Sequence, residues 1–193
     1  MRDLIIIFSR AILQMNKNTR RIFCVVKSCA AALLLVCVFS FQSEKLKDQT
    51  AKALFVYHFT KYVEWPAEKK ESKFIIGIFG HADILTDLMN ITYNKSVNNR
   101  AISIELISDP EKINLCNIIY IPNAYADELK SIIKKTKSQG VLIVTESVDA
   151  CAKGSTINII KKDSRMVFEI NLDAAKEANL KVSDQLLALA VNR

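Results

Sequence analysis

FIIGIF at 74–79, IIYI at 118–121 and VLIV at 141–144 are the stretches on which the fold turns. Each is short, unbroken by polar residues and rich in β-branched side chains. A strand apolar on both faces has to be covered on both, which is the situation inside a largely parallel sheet flanked by helices. Between the last two runs the spacing predicts a helix from Tyr125 to about Lys137, with Leu129, Ile132 and Ile133 inward and Gly140 closing it. A second helix is predicted over Ala82 to Ile91 on Ile84, Leu85 and Leu88. ISIELI at 102–107 alternates Ile102, Ile104 and Leu106 with Ser103 and Glu105, the pattern of a strand with one wetter face.

The end of the chain departs from this rhythm. TINII at 156–160 and RMVFEI at 165–170 are separated by a polar stretch suited to a tight turn between antiparallel strands. Asn171 stands where the N-cap of the helix in LDAAKEA belongs, and Ser183 caps a final helix, DQLLALA. The expected fold is an α/β three-layer sandwich: a mixed, mostly parallel sheet with helices on both faces and a C-terminal antiparallel hairpin.

At the other end, Lys17, Arg20, Arg21 and Lys27 precede SCAAALLLVCVFSF at 28–41, the basic and short apolar regions of a secretory signal peptide. The run has 14 residues, where a membrane span needs roughly 20. Val38 and Ser40 fit the small-residue rule for cleavage, so the mature chain is expected to begin between Phe41 and Glu44. An uncleaved N-terminal anchor is the alternative. Met15 makes a more compact start for such a signal than Met1. Cys37 does not suit lipidation, because Val36 before it is not small. The expected organisation is a signal peptide over 1–43 and a single domain over 44–193.

Residues 1–43 carry six of the 27 Lys and Arg and one of the 20 Asp and Glu, which leaves a net charge of only +2 on residues 44–193. That removes the electrostatic motive for binding nucleic acid. Lys134, Lys135 and Lys137 form the densest basic cluster, at the end of a predicted helix where cations suit the dipole.

The mature domain opens with a helix. Ala51, Leu54, Phe55, His58, Phe59, Tyr62 and Val63 share one stripe at helical spacing, and Pro66 ends the helix by pushing Trp65 out of the helical region. A lone histidine on such a stripe is read as a packed core residue, since no second ligand stands at metal spacing. The chain has no G-x-S-x-G elbow, Walker A loop, G-x-G-x-x-G turn or H-E-x-x-H. No catalytic residue, cofactor or metal site is assigned, and the protein is not expected to be an enzyme. His81 and Asp83 follow a strand where open α/β sheets bind ligands and are the candidate edge of a pocket. Tyr57, Tyr62 and Trp65 would join them if the first helix packs near the carboxyl edge of the sheet. A periplasmic small-molecule binding module is therefore one of the functions considered.

KALFVYHFTKYVEWP at 52–66, FIIGIFG at 74–80, CNIIYI at 116–121, VLIVTES at 141–147, GSTINII at 154–160 and the tail from FEINLDAA to LKVSDQLLALA together resemble the YfiR family of exported bacterial proteins. The resemblance covers nearly the whole mature chain. It implies a periplasmic regulator that represses an inner-membrane signalling protein of the diguanylate cyclase type by binding its periplasmic region. An outer-membrane lipoprotein is implied as the releasing partner, with cyclic di-GMP and biofilm formation as output. A sensor histidine kinase in place of the cyclase, and a homodimer of the domain, both remain open. The end of the opening helix, at Tyr62, Trp65 and Pro66, is the candidate partner surface, because an aromatic at a helix terminus makes an interface anchor; the same tryptophan serves equally to close a core.

Cys24, Cys29 and Cys37 leave with the signal, so Cys116 and Cys151 form the one pair available for a disulfide. If the 118–121 and 141–144 strands run parallel, the two lie at opposite ends, roughly 15 Å apart and beyond disulfide reach. Two free thiols are the expectation from that layout, although the family resemblance implies disulfides among its members.

Overall fold

The computed structural model describes residues 44–66 and 73–191. The expected signal peptide and its expected cleavage point lie outside the described residues. Chain contacts divide the protein at Leu46, and Lys47–Arg193 forms one compact unit.

Five strands run parallel in the centre of a seven-stranded sheet: β2 (Lys73–Phe79), β4 (Arg100–Ile107), β5 (Ile118–Ile121), β6 (Leu142–Thr145) and β7 (Ile157–Lys162). β3 (Ser96–Val97) and β8 (Arg165–Ile170) pair antiparallel at the two edges, giving the order β3-β4-β2-β5-β6-β7-β8. β5 and β6 are buried at every position, as the apolar runs of β5 and of Leu142–Val144 require, and the buried Thr145 hydroxyl bonds to Ser155 and Asn158. The predicted 141–144 strand is shifted by one residue, because Val141 packs just ahead of the first paired position, Leu142.

Side-chain alternation sorts the strands between two cores, the upper one on the α1 side of the sheet and the lower one on the other. Phe74, Ile76 and Ile78 of β2, Ile118 and Tyr120 of β5, and Leu142 and Val144 of β6 face one side. That side is covered by α1 (residues 44–62), by α2 (Leu85–Thr92) through Leu88, and by α4 (Leu172–Glu177) and α5 (Asp184–Leu189) through Ala175 and Leu186. Phe79, Ile119, Ile121 and Ile143 face the other, under α3 (Leu129–Thr136) and a 3-10 turn at Pro110–Leu115. The fold is the expected α/β sandwich with helices on both faces.

Several local readings are corrected. The inward face of α1 is rotated from the expected one: Ala53, Val56, Phe59 and Thr60 are buried and Phe55 and Tyr62 pack against the core, while Leu54 and His58 are exposed. The apolar residues of this helix spread over more than one side, so their spacing does not fix its rotation. The helix expected over 125–137 is a 3-10 segment, Asn123–Glu128, followed by α3, and α2 begins three residues after Ala82. In β4, Leu106 is exposed and Ile107 is buried, because the upper core ends before Leu106 and the lower one takes Ile107.

Asn171 and Ser183 both cap as expected, accepting from the amides of Ala174 and Leu186. Each helix thereby satisfies one of its unpaired first-turn donors. The β7–β8 hairpin closes through Asp163 and Ser164, both at positive φ (48° and 61°), the conformation of the two-residue turn that follows strand twist. A second sheet, absent from the sequence reading, joins β1 (Val63–Glu64) to β9 (Lys181–Val182).

Candidate functional site

α1 runs against the direction of the parallel strands. Midway along it Lys52 reaches Glu146, just past the C-terminus of β6; past its end Trp65 reaches Asn117, just before β5. The helix therefore spans the sheet from carboxyl edge to amino edge, and polar groups gather at both.

At the carboxyl edge the Glu146 carboxylate gathers three donors. One oxygen accepts from Lys52 Nζ at 2.5 Å and from the Tyr120 hydroxyl at 2.7 Å; the other accepts from the Asn123 amide at 3.1 Å. The Lys52 and Glu146 side chains are each 16% exposed, so the pair is shielded enough to hold its geometry. Burial, and then the charge of Glu146, drives the Tyr120 phenol well above its ordinary value, so Tyr120 stays a neutral donor. Earlier in α1, the Thr50 hydroxyl donates to Asp87 of α2 at 2.7 Å, and Lys161 pairs with Asp48 at 2.8 Å. These contacts tie the first turns of α1 to the sheet and to α2, and sequence periodicity carries no sign of them.

His81 and Asp83 lie at this edge as expected and both are exposed. The gap between the ends of β2 and β5, where the order of a doubly wound sheet reverses, is filled by Tyr125. Gly80 sits at φ +67° with the Tyr125 ring against it, so close that a Cβ there would fall 2.2 Å from a ring carbon. Tyr125 also stacks edge-on to Phe79, at 5.6 Å between centroids. The charge of Asp83 adds the smallest of the contributions that raise the Tyr120 phenol.

The aromatic residues expected to join His81 are at the other end of the sheet. Trp65 donates its indole N–H to the Asn117 carbonyl at 2.9 Å and stacks edge-on to Phe74 at 4.9 Å. β2, seven residues long, separates that position from His81 by about 20 Å. The pocket combining Tyr57, Tyr62 and Trp65 with His81 is therefore not assembled, because α1 ends at the amino edge rather than the carboxyl edge. Tyr62 and Trp65 are both partly buried against the upper core, and Pro66 is half-buried beside them.

At the amino edge the same region borders a groove of about 610 Å³. One wall is the end of α1 and β1, with Tyr57, Lys61, Glu64 and Trp65; the other is β3 and its turn, Ser96 to Asn98. The Lys61 ammonium lies 4.7 Å from the centre of the Tyr57 ring, which holds it on the rim. Behind Trp65, Asn117 is fully buried, takes the Ile75 amide on Oδ1, and leaves its Nδ2 without a partner.

Cys116 and Cys151 are both buried, and no disulfide joins them. Parallel pairing of β5 with β6 puts Cys116 before one strand and Cys151 after the other, so the candidate disulfide is not formed. Burial and then the Glu169 carboxylate push the Cys151 thiol up to about 12.

Residues 49–191 match the YfiR/HmsC-like family, a span that takes in α1 from its second turn, both sheets and every later helix. The chain belongs to the YfiR/HmsC-like family. This is a family of periplasmic regulators of signalling proteins rather than of catalysts. Among the described residues no helix is long and apolar enough to cross a membrane. The groove and the carboxyl-edge cluster both lie within the matched span.

Proposed function

We propose that the mature domain is a periplasmic regulator that binds the periplasmic region of an inner-membrane signalling protein of the diguanylate cyclase type and holds it in its inactive state. Membership of the YfiR/HmsC-like family over residues 49–191 carries this reading. The near-neutral charge of residues 44–193 agrees with a protein partner rather than a nucleic acid. A repressor of this kind has to bind the off conformation more tightly than the on conformation, since equal affinity for both shifts nothing. Release by an outer-membrane lipoprotein would compete for the domain and free the cyclase.

Deleting the gene is expected to raise cyclic di-GMP. A rise in kinase-dependent transcription instead would assign the partner to the sensor histidine kinases. Unchanged signalling, together with a ligand that raises the melting temperature of the purified domain, would favour the small-molecule binder. N-terminal sequencing of envelope protein is expected to give a start between Phe41 and Glu44, whereas an intact Met1 or Met15 terminus in the membrane would establish an anchor.

A further inference from the structure

We infer that the amino-edge groove receives an extended segment of the partner's periplasmic region, laid as an added strand along β3. The inference rests on the regulator reading and names how the partner is held. Among the described residues β3 pairs on one side only, with β4. The Ile102 amide donates to the Lys95 carbonyl, so residues 95 and 102 form a hydrogen-bonded pair. Antiparallel pairs alternate, which turns the N–H and C=O of Ser96 away from β4. Across the groove the same reasoning applies to β1. Ser183 donates to the Tyr62 carbonyl, so the Val63 carbonyl is directed away from β9. Two strand edges thus line one groove, each with backbone groups its own sheet does not use.

That chemistry fits a peptide backbone better than a small molecule. Small-molecule sites are enclosed and mostly apolar, whereas this groove is open on one side and lined largely by polar residues. Added strands take their affinity from main-chain hydrogen bonds and their specificity from alternate side chains. Lys61 and Glu64 stand exposed on the α1 rim with opposite charges. A complementary segment carries an acidic and a basic side chain two residues apart, on one face of the strand.

The test replaces Ser96 in the full-length chain. Ser96→Pro removes an amide that pairing with β4 does not use, a substitution that edge strands accept; Ser96→Ala keeps that amide. Ser96→Pro is expected to weaken repression about tenfold, the loss of roughly one hydrogen bond, with an unchanged melting temperature and with Ser96→Ala indistinguishable from wild type. Wild-type repression by Ser96→Pro, or equal loss in both variants, overturns the inference while a derepressed deletion strain leaves the regulator reading intact. A deletion strain that signals normally overturns both. Should Ser96→Pro melt markedly lower, a benzophenone side chain at position 98 decides: crosslinks to one contiguous stretch of the signalling protein support the added strand, and crosslinks only between copies of this chain, or none, overturn it.

Discussion

Gly77 interrupts an otherwise apolar β2, and the reason lies across the sheet. A Cβ on Gly77 would fall 2.6 Å from Cys116 Sγ and 2.9 Å from a side-chain carbon of Ile107. The missing side chain is the space into which Cys116 packs. Gly77→Ala is expected to cost about 1–3 kcal/mol by overpacking, read as a lower urea midpoint, and Cys116→Ala in the same chain should recover part of that loss. Equal costs with and without Cys116 would show that Ile107 sets the limit. Trp65 poses the opposite problem, a large residue whose role a sequence leaves open. In the structure its ring packs on Phe74 and its N–H is taken by the Asn117 carbonyl, which also accepts from the Leu142 amide. Trp65→Phe should therefore cost only about 1 kcal/mol and keep repression, while Trp65→Ala, which empties the site, should cost about 3–5 kcal/mol. Thermal unfolding of the two variants distinguishes a core-closing residue from a partner anchor whose loss moves signalling but not stability.

Elements were legible in proportion to how strongly one physical demand wrote them. β5 and the first three residues of β6 had to be apolar because both faces are covered, and runs that short suit strands rather than helices. The caps at Asn171 and Ser183 were equally plain, since a side-chain oxygen is needed at one position only. The rotation of α1 was not, because Leu54 and Phe55 are both apolar while only one packs on Phe168. β1 and β9, with two residues each, leave no period to read. The Glu146 cluster was hidden for another reason: Lys52, Tyr120 and Glu146 are 68 and 26 residues apart and meet only once α1 lies across the sheet. At the β7–β8 hairpin the turn type was unreadable but its chemistry is now improvable. Ser164 occupies φ 61°, a region that costs a non-glycine residue about 1–2 kcal/mol. Ser164→Gly is expected to raise the unfolding free energy by about 0.5–1 kcal/mol and the melting temperature by roughly 2–4 °C. No change, or a fall, would mean that the entropy of the unfolded glycine chain outweighs the relief of strain.

For the molecule as a whole, pH dependence on the alkaline side follows from groups the fold keeps protonated. Cys151, buried beside Glu169, has its thiol raised from an ordinary 9.0 to about 12, and Tyr120 is raised from 10.0 by burial and by Glu146. A group whose folded value is raised contributes its full stability below the unfolded value, and that contribution is lost as pH climbs toward the folded value. Below about pH 9 both states hold these protons, so the two groups leave stability flat. Above it the unfolded chain releases first the thiol proton and then the phenol proton, while the folded chain keeps them, and the balance shifts toward unfolding. The urea midpoint is therefore expected to be level between pH 7 and about pH 8.5 and to fall above about pH 9. Cys151→Ala should move the onset of that fall up toward the phenol's ordinary value of 10.0. The same burial makes Cys151 unreactive in the native state, because the thiolate is the nucleophile. Thiol reagents at neutral pH should find neither cysteine of the mature chain in the folded protein and both after unfolding without reductant. An onset unmoved by Cys151→Ala would assign the alkaline transition to other groups, and two blocked thiols in an unfolded monomer would show a disulfide where the parallel strands leave none.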